Sequence, residues 1–422
     1  MIRTSSRLAR RLRRAALLMG ALMLSLGLAG RGPARGQAAD EPALTVPVPD
    51  YPEPAQNAWD DYLRAFELLP TGDEAAVMPR ELMAEGRSGP RLSWEALEPY
   101  QPTLAALREG LPKECLVPPP PPLLQDPTGS VRHNLQFREW TLLLCVEGWL
   151  HEQDGDYRAA LLGSYLDALK LSQDWARGSG VIGAFTGAAC EAVALGQIRT
   201  SLAAGQADEA ALRELVARLV AFEQHEVPLA DTLAWDYQRD RQMLDDVLQD
   251  EDSLTDLFGP DGPDRQARVE REAAAARQFM AEHWAQAIAL SRLPYRFAGQ
   301  TELPEPPPGP LADIVPTLPP TLYAAAITRH TAALRATTIL AALELYRVGH
   351  GGYPEALADL VPGCLARLPL DPYSDEPFCY RRDGEGYLLY SVGPNLTDDG
   401  GVPPVERDDL PVEGDLLFDL SH

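Results

Sequence analysis

Positive charge is what this chain has least of for its size. Lysine and arginine number 37 against 62 aspartates and glutamates in 422 residues, a formal net charge of -25 at pH 7. Such a surface repels phosphate backbones and anionic lipid headgroups, so nucleic-acid binding and polybasic membrane docking are excluded as expectations. Cations, basic partners or simple solubility fit the charge instead. Cysteine is scarce, five in all: too few for a disulfide-built scaffold, though compatible with an oxidising compartment. Catalytic signatures are missing as well. The histidines at 133, 151, 225, 283, 330, 350 and 422 include no His-Glu-x-x-His pair and no zinc-like Cys/His spacing. Walker loop, dinucleotide fingerprint and G-x-S-x-G elbow are all absent, and Gly178-Ser179-Gly180 reads as a helix break. The inventory weighs against an enzyme.

What is present is ordinary globular composition, 45% hydrophobic and 23% charged, with length for two or three domains. The first residues are set apart. Arg3, Arg7, Arg10, Arg11, Arg13 and Arg14 precede an apolar run from Ala15 to Ala29, and Gly36-Gln37-Ala38 offers a small-residue cleavage site. Residues 1–38 are therefore expected to be a secretory signal peptide, which a membrane would retain only if it stayed uncleaved. No second long apolar run is read after it. The expected location is extracytoplasmic: periplasmic, cell-surface or secreted.

Residues 39–130 read as a Pro-rich segment with short helices. Trp59, Tyr62, Leu63, Phe66 and Leu69 share one helical face, a weaker helix covers 94–110, and Pro118 to Pro122 impose a polyproline II spacer. From 131 to 300 a helical domain is expected, an antiparallel bundle or an irregular helical repeat. Its helices fall near 131–152, 156–177, 180–203, 207–224, 228–249 and 263–292. Gly155-Asp156-Tyr157-Arg158-Ala159-Ala160-Leu161 with Tyr165 and Ala168-Leu169 resembles the second helix of a tetratricopeptide repeat, with no second copy 34 residues away. The grooves of such a domain suit a protein or peptide partner. Residues 245–264, rich in Asp, fail the calcium-loop spacing and read as a solvated helix end and loop. Trp140, Trp149, Trp175, Trp235 and Trp284 read as packing residues. A hydrolase would draw on His225, Glu226, Asp231 and Asp236. Residues 301–321, dense in proline, are expected to be a linker.

After the linker a small α+β domain is expected over 322–422. Ala332, Ala336, Ile339, Leu343 and Tyr346 draw one apolar helical stripe, and Gly351-Gly352 end it. Strands at Phe378 to Arg382 and Tyr387 to Val392 are joined through Asp383-Gly384 as a hairpin. Cys364 and Cys379 are the expected disulfide pair, which would contribute about 3 kcal/mol. Asn395, Thr397, Asp399, Gly400 and Glu406 occupy positions 1, 3, 5, 6 and 12 of a calcium-loop pattern, although Pro403-Pro404 forbid an exiting EF-hand helix. The other reading of these residues is an exposed acidic turn held by Asx contacts.

Leu343 to Tyr346, Gly352-Tyr353-Pro354, Leu368-Pro369 with Asp371-Pro372-Tyr373, Pro377, and Ser391-Val392-Gly393 together resemble the soluble domain of the type II secretion major pseudopilin, the protein G family. The likeness covers about 80 residues. The family's prepilin cleavage site and amino-terminal assembly helix have no counterpart before it. The resemblance implies a long helix packed on a short antiparallel sheet and a Ca2+ ion held by the loop after the second strand. It points to Asn395, Asp398, Asp399 and Asp409 as side-chain ligands, with the Val392 carbonyl nearby.

Overall fold

A computed structural model describes residues 46, 51–70, 79, 81–83, 92–118, 129–298, 306, 308–311, 320–403 and 414–418, without the side chains of 129–132 and 320–323. The expected leader, most of the proline linker, Glu406 and Asp409 lie outside the described residues.

The described residues are mostly helical, with one small antiparallel sheet. Helix α1 (Ala58–Glu67) starts at Asn57, whose side-chain oxygen caps the Trp59 N–H while its amide donates to Leu116 O. That pair of contacts ties α1 to the segment following α2 (Gln101–Gly110), which a 3-10 turn at Trp94–Tyr100 introduces. Helix α3 (Gly129–Gln153) is next. Helix α4 begins at Tyr157–Ala159, loosens into a π-helical turn over Ala160–Tyr165 and continues as Leu166–Ala176. The turn aims Tyr165 at α3, where a Cβ on Gly148 would stand 2.3 Å from the Tyr165 ring. Glycine is the side chain that lets the two helices close.

Helix α5 (Gly180–Ala203) is the centre of the body, packed on α3 and α4. It is long and apolar enough to cross a membrane, contrary to the expectation that no second such run exists, yet 67% of its most apolar window is buried inside the fold. Its apolar character is used for packing. Then come α6 (Glu209–Gln224), α7 (Leu229–Gln249), α8 (Glu251–Phe258) and α9 (Arg265–Ser291), followed by the single turn α10 (Tyr295–Ala298). Helix α8 falls in the tract expected to be a helix end and loop. Asp250 caps it by accepting the Ser253 N–H, and Glu251 and Asp252 sit at its positive end, so the acids start a helix there.

Helix α11 (Pro320–His350) leads the C-terminal part, with Gly351 in the left-handed region at its end. Strands β1 (Cys379–Asp383) and β2 (Gly386–Ser391) pair with Cys379 opposite Tyr390 and Asp383 opposite Gly386, around a two-residue turn whose Gly384 has φ 59°. Strand β3 (Leu416–Leu417) completes the order β1-β2-β3.

The packing does not divide at the proline segment. Leu334, Ala336, Ile339, Leu340 and Leu343 are fully buried and belong to one core with Leu143, Leu169, Leu195 and Leu215 of the body and Leu389 of β2. Each such leucine or isoleucine is worth about 1.5–3 kcal/mol of burial. A second core joins α7 and α9 through Leu233, Val247, Met280 and Trp284. Trp140, Trp175 and Trp284 are buried, while Trp149 and Trp235 are half-buried. Trp175 stacks on Phe137 at 4.2 Å. Trp140, Trp175 and Trp284 pack the cores, as their helical spacing suggests, whereas Trp149 and Trp235 stand outside them.

Candidate functional site

Two places gather polar chemistry. The first is the loop after β2. Asn395 Oδ1 accepts the Thr397 N–H at 3.0 Å, and Asn395 Nδ2 donates to Asp399 Oδ2 at 2.8 Å. Asp398 turns the other way: its Oδ1 accepts the Gly400 N–H and the Tyr390 hydroxyl, each at 2.9 Å. Those two donors, Gly400 first, hold its carboxyl below the usual aspartate range. The Val392 N–H donates to buried Asp371 at 3.1 Å. Asn395 and Asp399 are thus brought together, and Asp398 faces the strand. Among the described residues, Asp398 and Asp399 join no group of three Asp, Glu, His or Cys ligands.

A carboxylate that sequence reasoning passed over organises this loop. Asp415, fully buried just before β3, accepts the Asp399 N–H at 3.3 Å and the Gly401 N–H at 2.7 Å. Its own N–H donates to Val402 O at 2.9 Å.

Cys364 and Cys379 do not form the expected disulfide; both are free. Cys379 Sγ lies 3.9 Å from Asp398 Oδ2 in the acidic loop. Cys364 instead faces α6, where Arg213 donates to Gly363 O at 3.4 Å and also bears on the Cys364 thiol. Cys379 opens β1 while Cys364 lies in the turn after the 3-10 segment Leu357–Leu360, so the two thiols meet different neighbours, which their closeness in sequence does not disclose.

The second place is inside the helical body. Glu191 of α5, Glu226 from the α6–α7 connection and His330 of α11 converge. His330 Nε2 lies 3.1 Å from Glu191 Oε2 and 3.3 Å from Glu226 Oε1. All three border a cavity of about 50 Å³, whose wall includes Ser172, Gln173, Gly187, Thr232 and Ile327. Gly187 makes the approach of α4 feasible: a Cβ there would sit 2.7 Å from Ser172 O. Burial raises the Glu191 pKa, with His330 opposing. Burial alone would lower that of His330, but Glu191 and Glu226 outweigh it and raise it well above the ordinary value.

Of His225, Glu226, Asp231 and Asp236, only Glu226 lines this cavity. His225 is exposed, with Nδ1 on Ala221 O at 2.7 Å. Asp231 accepts the Tyr51 hydroxyl at 2.7 Å. Asp236 is buried a turn further along α7, accepting the Val181 N–H at 3.0 Å and pairing with Arg239 at 2.8 Å. The four do not make one site. The partners that do, Glu191 and His330, are 139 positions apart in sequence (330 minus 191). The available signal was local: Glu191 is the single acidic residue of an apolar helix.

No family model matches the chain, and no curated protein or solved structure is significantly similar to it.

Proposed function

We propose that the protein is a non-enzymatic extracytoplasmic binding or scaffold protein. In this reading a helical body, irregular rather than regularly repeating, carries a pseudopilin-G-like α+β module whose acidic loop takes calcium. The observation that supports it is the burial of α11. Leu334, Ala336, Ile339, Leu340 and Leu343 are spent inside a core shared with α3, α4, α5 and α6, so this apolar stripe is not available for assembling with copies of itself. A component of the type II secretion apparatus would need such a face. The module instead works as one wall of a larger body, whose grooves and net charge of -25 suit a basic protein or peptide partner. Calcium is supported by donor chemistry, since Asn395, Asp398 and Asp399 offer hard oxygens on a loop turned by Gly400 and Gly401.

The test uses the full chain, because α11 belongs to the common core. Calcium-free protein is titrated calorimetrically with calcium and melted with and without it. One ion per chain is expected, lost in Asp398→Asn and Asp399→Asn. Absence of heat and of any melting shift at millimolar calcium removes the metal from the reading.

A second reading, a secreted hydrolase with its site in the helical body, is favoured by one observation: Glu226 meets Glu191 and His330 at the edge of a cavity. Hydrolysis of ester or peptide panels that disappears in Glu226→Gln supports it; uniform inactivity of the full chain rejects it.

A further inference from the structure

We propose that Glu191, Glu226 and His330 form a binding site for a zinc-class divalent transition-metal ion, separate from the acidic loop.

The spacing fits. Ligand atoms held about 2.0 Å from a common ion at tetrahedral angles stand about 3.3 Å from one another. His330 Nε2 is 3.1 Å from one carboxylate oxygen and 3.3 Å from the other, and the three ligand atoms all lie within 4.8 Å. An ion at their centre needs only small side-chain adjustments.

The cluster is also incomplete without a further partner. Glu191 is 3% exposed, borders the cavity, and keeps Oε1 without a hydrogen-bond partner. His330 Nδ1 has none either. Two carboxylates face one imidazole, and none of the described residues lining the cavity is lysine or arginine. A buried carboxylate with a half-buried one beside it calls for more positive charge than a single imidazole supplies. A divalent cation balances both glutamates and gives Glu191 a reason to be there.

The donor set chooses the metal. One imidazole nitrogen with carboxylate oxygens suits zinc, manganese or ferrous iron better than calcium or magnesium, and the absence of thiolate from the trio speaks against copper(I). Three protein ligands leave a coordination position open, and a cavity of about 50 Å³ accommodates a water there. Entry is from the Glu226 side, the most exposed of the three at 22% of its side chain. Because the ligands come from α5, α11 and the α6–α7 connection, the ion would also clamp the body to the C-terminal part.

The experiment takes the full chain stripped with a chelator and titrates it with Zn2+ in millimolar calcium, which saturates any hard-oxygen loop site. One equivalent is expected to bind and raise the melting temperature. Glu191→Gln and His330→Asn should each weaken binding by about tenfold or more. Absence of stoichiometric binding, or affinity unchanged in folded variants, overturns the site. Should either variant fail to fold, X-ray absorption on the zinc-loaded native chain decides. One imidazole with oxygen ligands near 2.0 Å is expected; a sulfur shell or more than one imidazole overturns the assignment.

Discussion

Tyr62 and Asp174, on helices 112 residues apart, meet in the core, the tyrosine hydroxyl donating to Asp174 Oδ2 at 2.6 Å. Burial raises both pKa values, and Lys170, which pairs with the other carboxylate oxygen, opposes it for Asp174. The contact fastens α1 to α4 and with it the N-terminal segment to the body. Tyr62→Phe removes one donor from a buried carboxylate and should cost about 1–3 kcal/mol, read as a lower midpoint in urea with unchanged slope. An unchanged midpoint would show that Lys170 alone satisfies Asp174.

Arg335 bridges the body and the C-terminal module. Its Nε donates to Glu223 Oε1 of α6 at 2.6 Å and its Nη1 to Leu370 O at 2.8 Å. Arg335→Ala should therefore speed amide hydrogen exchange around residues 370–373 without affecting α3 or α4. The stability loss should be about 1–2 kcal/mol. Exchange that rises evenly across the chain would refute a local bridging role.

Asp240 gives stability a pH dependence. Burial pushes its carboxyl up to about 7, with Arg239 opposing and Asp236 adding to the rise. In the unfolded chain it ionises near its ordinary value of 3.8. Between about pH 4 and 7 the folded state thus keeps a proton that the unfolded state has released. The group's favourable contribution is complete below about pH 4 and is lost as pH rises through 7. Asp240→Asn should show a smaller fall in stability over this window than the natural chain, measured by urea unfolding at pH 4, 5.5 and 7. Parallel curves would disprove the assignment.

Asp415 anchors the acidic loop through the N–H groups of Asp399 and Gly401. Asp415→Ala leaves both unsatisfied and should cost about 1–3 kcal/mol, with faster exchange confined to about 395–402. If the loop takes calcium, this variant should also lose it, although Asp415 is no proposed ligand.

Helix positions were legible because 3.6-residue periodicity and Gly or Pro punctuation act locally. The expected 180–203 and the observed Gly180–Ala203 coincide, and 263–292 frames Arg265–Ser291. The hairpin was legible from its turn. What escaped were matters of distance and of competing local signals. Strand β3 is two residues long, too short for an alternation to register. Helix α8 was hidden because its acids were counted as charge rather than read as an N-terminal cap and first turn. Glu191 and His330 meet because α5 and α11 pack side by side; the lone acid of α5 was a local hint, but the identity of its partner is a tertiary choice that neither helix's sequence carries. Cys364 and Cys379 failed as a pair for the same reason, since proximity along the chain says nothing of what packs against a turn and what packs against the strand after it.

The burial of α11 also constrains the order of events when the chain is made. A polypeptide emerges amino end first, so the apolar faces of α5 and α6 are produced more than a hundred residues before Leu334 to Leu345 arrive to cover them. Until then that layer of the core is missing. Synthesis must pass through a stage in which long hydrophobic helices wait uncovered, the stage at which aggregation competes with completion. A chain truncated before Leu334 would stay there permanently.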